Sequence, residues 1–218
     1  MFWIQYPNLT FDETTHSYFW HNRPVIGVTT VLSSVGVKTE KDGAEIWKPV
    51  GFDDRWIRSN IGSRFGSAFH KIPAIIFKGG IPSYPDEMQP YVMQLQRFLR
   101  EYPLVQLDDG KGNGLYEYPM YSEKYGYAGT LDWAALAKGG KEIWLIDWKT
   151  SSTTMPIHAD YQTAAYEQLL REVFGMRIKI VRKTVRITHD NYFIRTRENK
   201  PEDWSKFQSC LNVYKMAA

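Results

Sequence analysis

The chain has 218 residues, 43% of them hydrophobic, and its 8 Trp, 14 Tyr and 11 Phe can fill a sizeable core, which excludes a disordered chain. No apolar run approaches the roughly 20 residues of a membrane span, the segment 1–7 lacks the basic and apolar regions of a signal peptide, and the single Cys210 excludes, within one chain, a disulfide framework, a thiolate zinc site and a four-cysteine iron–sulfur cluster, while fitting a reducing cytoplasm. The net charge of +3 is uneven: residues 1–150 carry 16 Lys+Arg against 17 Asp+Glu, whereas residues 151–218 carry 11 against 7, an excess held partly by Arg177, Lys179, Arg182, Lys183, Arg186, Arg195 and Arg197. Such a segment suits a surface that follows phosphates, although a solvated strand face is the commoner outcome of a charge run.

Residues 15–20, the polar pair His21-Asn22 and residues 23–26 predict a β-hairpin. Thr29 or Thr30 is placed to cap a short helix through Val31 and Leu32. Residues 36–55 read as irregular, with one helical turn near 44–47. Ile57, Ile61, Phe65 and Phe69 recur every fourth residue and predict a helix over about 55–78, which Gly62 and Gly66 weaken. Residues 85–101 form a cleaner amphipathic helix, with Met88, Tyr91, Val92, Leu95, Phe98 and Leu99 on one side. Strand signals follow at 104–107, 115–122, 128–137 and 142–150, separated by glycine-rich turns at 109–114 and 138–140. A helix is expected over 161–174, a strand pair over 178–188 and 192–196, and a closing helix over 201–216. This order implies an α/β fold of the mixed-sheet (α+β) kind, a central sheet flanked by helices. It is read as one domain over 1–218, with a hairpin and helical segment over about 1–55 ahead of a core over about 56–218.

The most informative stretch is Ile143-Trp144-Leu145-Ile146-Asp147-Trp148-Lys149-Thr150. Four apolar residues running into Asp-x-Lys read as a central strand buried on both faces. Alternation then projects Asp147 and Lys149 to one side, where the charges are costly unless they are paired or hold an ion. Asp-x-Lys alone is weak, since a strand-end salt bridge explains it. The weight comes from Gly126–Trp133, a second apolar strand with Asp132 inside it, joined to the first by a short turn. Pairing of the two strands brings Asp132 beside Asp147, and a divalent cation relieves the repulsion between two such carboxylates. Gln162 and Tyr166, four apart on the following helix, share one face and are suitable donors to phosphate oxygens, or else an ordinary helix face turned to the sheet.

Together these residues resemble the PD-(D/E)xK nuclease superfamily, in particular its RecB-like branch, which includes phage exonucleases and the mitochondrial genome maintenance exonuclease. Four blocks carry the likeness: Gly66-Ser67-Ala68-Phe69-His70, Gly129-Thr130-Leu131-Asp132, Asp147-Trp148-Lys149-Thr150 and Gln162-Thr163-Ala164-Ala165-Tyr166. The hairpin of 16–31 is similar to the opening segment of that branch, and the likeness spans about 15–170; the C-terminal strands and helix match no motif. The proline that gives the superfamily its name is replaced before Asp132 by Leu131.

The resemblance implies a restriction-endonuclease-like core and a metal-dependent DNA exonuclease acting in recombination, repair or replication of phage or bacterial DNA. It implies that His70, Asp132, Asp147 and the backbone carbonyl of Trp148 ligate Mg²⁺ or Mn²⁺, the imidazole suiting Mn²⁺ at least as well as Mg²⁺. Asp132, Asp147 and Lys149 are then the catalytic set, Lys149 positioning water or stabilising charge on phosphorus, and Gln162 and Tyr166 bind the substrate. Glu117, on the preceding strand, is either a contact to the metal through water or a surface acid. Trp133, Trp148 and Tyr161 could stack on unpaired bases, though core packing is the preferred assignment for each. The expected partner is DNA, single-stranded or at duplex ends, with a second copy of the chain or a recombination protein as further partners and no membrane. Two other readings stand: a DNA-binding accessory of recombination or packaging without catalysis, and a structure- or site-specific endonuclease.

Overall fold

In this computed structural model the described residues are 8–12, 15–34, 36–41, 44–49, 60–150 and 158–217, with side chains described outside 36–64. The N-terminal hairpin forms as expected: β1 (Leu9–Asp12) and β2 (Ser17–Trp20) pair antiparallel, and β2 turns into β3 (Arg23–Gly27). His21 and Asn22 have φ of 48° and 61°, the left-handed pair that a tight two-residue hairpin requires. The short helix α1 (Val28–Ser34) starts before Thr29 and Thr30, so neither threonine caps it; Val28, Val31 and Leu32 hold it against the core instead.

The expectation for 36–55 is corrected where residues are described. β4 (Gly36–Lys41) and β5 (Ala44–Pro49) form a separate antiparallel pair, and 44–47 is strand rather than a helical turn. Ala44, Ile46 and Trp47 lack the four-residue spacing of a helix face, and the Asp-Gly dipeptide that follows Lys41 in sequence is a strong hairpin signal. Helix α2 (Asn60–Phe77) covers the described part of the helix expected over 55–78, and α3 (Gln89–Glu101) follows a single 3₁₀ turn at Asp86–Met88.

The remaining elements alternate largely as expected. They are β6 (Val105–Gln106), β7 (Tyr116–Ser122), β8 (Tyr127–Leu136), β9 (Glu142–Lys149), α4 (His158–Phe174), β10 (Lys179–Ile187), β11 (Tyr192–Arg197) and α5 (Pro201–Ala217). Nine of the strands make one mixed sheet in the order β1-β2-β3-β8-β9-β10-β11, with β6 and β7 on the other edge of β8. β3–β8 and β9–β10 run parallel; the other pairs run antiparallel. Helices cover both faces. α1, α4 and α5 pack with Leu131, Ala134, Ile143 and Leu145 on one side. α2 and α3 pack Phe69, Val92, Leu95 and Phe98 against Trp133, Ile146, Trp148, Val185 and Ile187 on the other. Alternation along β9 therefore serves two cores at once, which accounts for its continuous apolar run. No helix among the described residues is long and apolar enough to cross a membrane.

The layer of α4 and α5 is tied to the sheet by buried charge. Arg182 of β10 contacts Asp203 of α5 at 3.0 Å and donates to the Asp160 carbonyl of α4 at 2.7 Å. Arg197 reaches the other Asp203 oxygen at 2.6 Å, and Arg195 contacts Asp160 at 2.9 Å. Burial alone would raise Asp203, but the Arg197 and Arg182 guanidiniums outweigh it and hold the carboxyl below its usual range. A depressed carboxylate stabilises the fold above its unfolded pKa of about 4, and that contribution is lost as pH falls through the folded value. Asp203→Ala strands the Arg182 charge and is expected to cost about 3–5 kcal/mol in urea unfolding at neutral pH. The gap between wild type and variant should narrow progressively as pH falls from about 4, where the unfolded carboxyl takes up its proton, down through the lower folded value.

Candidate functional site

Strand β8 is the scaffold of the site. Along one edge β7 and β6 pair with it; along the other, β3 takes Tyr127 and Ala128, and β9 takes Trp133 to Leu136. Gly129-Thr130-Leu131-Asp132 lies between, where β3 and β9 part. One further step of the β8–β9 register would place Asp132 opposite Asp147, but the ladder stops at Trp133↔Ile146. In its place Asp132 Oδ2 accepts the Trp148 backbone N–H at 2.7 Å. The inward–outward phase of β8 also changes here. Tyr127, Leu131 and Ala134 belong to the α4 side, whereas Trp133 and Ala135 belong to the α2 side. Across from this break, between the pairs Tyr116↔Trp133 and Tyr118↔Leu131, Glu117 has φ of +45°, a strained conformation for a residue with a Cβ.

The fork gathers chemistry from three other elements. His70 of α2 places Nδ1 3.3 Å from Asp132 Oδ2. One ligand atom each from His70, Glu117 and Asp132 lies within 4.8 Å of the other two, a spacing that can hold one metal ion. Lys149 Nζ donates to Asp147 Oδ1 at 2.7 Å and reaches Gln162 Oε1 at 3.5 Å. Gln162 Nε2 donates to the Tyr166 hydroxyl at 2.9 Å, so the two α4 residues act as a linked pair behind Lys149. The Tyr166 ring fits against Gly129: a Cβ there would lie 2.7 Å from Tyr166 Cε1 and 3.0 Å from Val28. Gly129 is thus required by close approach of α4, whereas a Cβ at Gly66 would make only ordinary contact, 3.5 Å from Thr150 Oγ1.

The electrostatics separate the two aspartates. Asp147 is 1% exposed, and burial pushes its carboxyl up to about 6, against Lys149 and with help from the charge of Asp132. Asp132 is also buried, but His70, Lys149 and the Trp148 N–H outweigh that burial and hold it below the usual range. His70 is pulled down by burial and raised more strongly by Asp132, so its net shift is upward. The second Asp147 oxygen, Oδ2, is buried and accepts no hydrogen bond among the described residues. A buried carboxylate oxygen without a donor is costly, and a cation is one partner that offsets the cost. The donor set of one imidazole and several carboxylates suits Mg²⁺ or Mn²⁺.

The sequence-predicted residues thus converge, with a changed division of labour. His70 and Asp132 stand together as expected. Glu117, an exposed acid, lies within reach of both, while Asp147 is held by Lys149 and lies outside that three-residue cluster. Trp148 contributes its N–H to Asp132, and its backbone runs in the parallel ladder beside Val185. Gln162 and Tyr166 are buried, 7% and 4% exposed, behind the lysine rather than on an open face. Trp133, Trp148 and Tyr161 are buried as core, the two tryptophans stacked on each other. Tyr18, which no motif singles out, joins the hairpin to the fork through a 2.9 Å hydrogen bond between its hydroxyl and Thr130 Oγ1. Compared with known proteins, the chain matches no family model and no curated sequence.

Two substitutions test this geometry. Glu117→Gly removes a ligand atom and relieves the left-handed backbone; Mn²⁺ affinity by calorimetric titration should fall about 10- to 100-fold while the melting temperature does not drop. Gly129→Ala drives a methyl into the Tyr166 ring and should cost about 1–3 kcal/mol of stability, read by urea unfolding.

Proposed function

We propose that this chain is a divalent-cation-dependent deoxyribonuclease of the PD-(D/E)xK kind, which degrades DNA from its ends. The observation that carries the reading is the convergence, at one fork of the sheet, of His70, Glu117 and Asp132 with an Asp147–Lys149 pair whose remaining carboxylate oxygen is buried with no donor among the described residues.

His70, Asp132 and Asp147 would hold Mg²⁺ or Mn²⁺, with Glu117 completing the acidic side. When bound, such an ion supplies Lewis acidity toward a phosphodiester oxygen and toward water. The chain's own residues do the rest. Lys149 is a compact cation fixed by Asp147 and Gln162, so it can orient water or meet the charge that builds on phosphorus without reorganising. Asp132, held ionised by His70 and the Trp148 N–H, keeps its charge directed at the site. Tyr166 and Gln162 fix the lysine from behind and act on the substrate through it. A chain with one buried cysteine is compatible with a cytoplasmic location, which belongs to this proposal.

Purified protein with Mg²⁺ or Mn²⁺ should degrade end-labelled DNA to mononucleotides or short oligomers, and discrete fragments would instead mark an endonuclease. Lys149→Ala should lower the rate by at least about 100-fold with the melting curve retained. Activity that survives in Asp147→Ala, or tight DNA binding with no cleavage under any divalent ion, would end the proposal.

A further inference from the structure

The basic C-terminal segment is mostly committed to internal partners. Arg182, Arg195 and Arg197 hold Asp160 and Asp203; Lys179 pairs with Glu142 and Glu198; Lys183 donates to Thr196 and lies over the Trp144 ring. Arg186 differs. Among the described residues it makes no ion pair, and its Nε is buried without a hydrogen-bond partner. Its guanidinium lies 4.4 Å over the ring of Phe193, and Phe193 is 43% exposed, unusual for a phenylalanine.

Register shows where this pair sits. The parallel β9–β10 ladder places Arg186 beside Lys149, and the antiparallel β10–β11 ladder places Phe193 beside Arg186. Cross-strand neighbours project to the same face. Lys149, Arg186 and Phe193 therefore form one row across three adjacent strands, on the face that also carries Asp147 and α4. Two inter-strand spacings of about 4.8 Å put Phe193 roughly 10 Å from Lys149. A row that begins at a lysine beside two carboxylates, continues as an uncommitted guanidinium and ends in an exposed aromatic ring presents, in order, contacts for a phosphate, a second phosphate and a base face.

We propose that Arg186 and Phe193 form a track for an unpaired nucleic-acid strand leading to Lys149, with the guanidinium on a backbone phosphate and the ring stacked on a base. The track rests on the nuclease reading of the site and gives it a substrate class, a single-stranded end. Bases paired in a duplex do not offer their faces to a ring on the sheet, so Phe193 contributes to single strands and not to blunt duplexes.

Binding of a fluorescently labelled oligothymidylate and of a blunt duplex is measured by anisotropy with Ca²⁺ in place of Mg²⁺ or Mn²⁺, so that the carboxylates are neutralised by a larger cation that lacks the compact geometry of the other two, and again in EDTA. Cleavage is followed separately with Mg²⁺ or Mn²⁺. Phe193→Ala should weaken single-strand binding about tenfold and leave duplex binding alone, whereas Phe193→Trp retains it. Arg186→Gln should lower the slope of log affinity against log salt by about 1. In cleavage of single strands the losses appear in KM rather than in kcat. Variants that bind the oligothymidylate as tightly as wild type overturn the track while leaving the nuclease reading intact if DNA is still cut. Wild type that does not bind single strands overturns the track outright. Binding lost as described, with no cleavage by wild type under any divalent ion, supports the track and removes the nuclease.

Discussion

Two carboxylates, Asp132 and Asp147, stand just past the last pair of the β8–β9 ladder, near enough for the charge of Asp132 to raise Asp147, and Asp147 is almost wholly removed from water. Burial raises a carboxyl and a neighbouring negative charge raises it further, so such a pair can remain ionised only beside positive charge. The structure provides that charge unevenly. Lys149 stands on Asp147, and His70 with a backbone N–H stands on Asp132, which leaves one Asp147 oxygen with no donor among the described residues. Much of the surrounding architecture follows from keeping these groups at one fork. β3 and β9 must part to leave the edge of β8 open at Asp132, β7 must bend through a left-handed residue to bring Glu117 alongside, and α2 must lie close enough for His70 to reach.

The opposite layer supplies rigidity. α4 carries Gln162 and Tyr166, and its position is fixed at two points. Near its start, Asp160 is gripped by arginines from β10 and β11; in its middle, Tyr166 packs on the bare backbone of Gly129. The Gln162–Tyr166 hydrogen bond then transmits that position to Lys149. A lysine on a flexible stem is a poor positioning device unless its far side is held, and here a carboxylate and an amide oxygen hold it. Buried ion pairs such as Arg182–Asp203 add little net stability over apolar packing, but they fix one arrangement because every alternative strands a charge.

The parts of this design that depend on sequence-local patterns were legible before the fold. The apolar run ending in Asp147-Trp148-Lys149 predicts a two-faced strand, and it serves two cores. The i, i+4 spacing of Gln162 and Tyr166 predicts a shared face, and they are hydrogen-bonded. His21-Asn22 predicts a turn, and both residues are left-handed. What depended on partners remote in sequence was not legible. The basic run of 177–197 suggests a phosphate surface, yet most of its charges face Asp160, Asp203, Glu142 and Glu198, whose proximity only the fold supplies. Glu117 stays open between metal contact and surface acid in the sequence, because its place beside His70 and Asp132 rests on a backbone dihedral and a change of pleat opposite Asp132. The hairpin of β4 and β5 was hidden by mixed polarity on both strands, with only the Asp-Gly dipeptide to mark it.

Local charge also bears on what the site can admit. Within the fork stand three carboxylates, Asp132, Asp147 and Glu117, against one ammonium and a histidine whose proton affinity is raised by Asp132. A phosphodiester approaching this set alone meets net repulsion, and in a partly dry site that repulsion is screened poorly. On the proposed reading, one divalent cation would bring the cluster close to neutrality and turn the same carboxylates from an obstacle into ligands. Arg186, one strand beyond Lys149 and uncommitted to any described acid, extends the positive side away from the carboxylates. The field along the sheet then runs from an acidic fork through a lysine to an arginine and an exposed ring. A strand laid along that gradient would, on the proposed reading, put its scissile phosphate at the boundary between the two signs of charge.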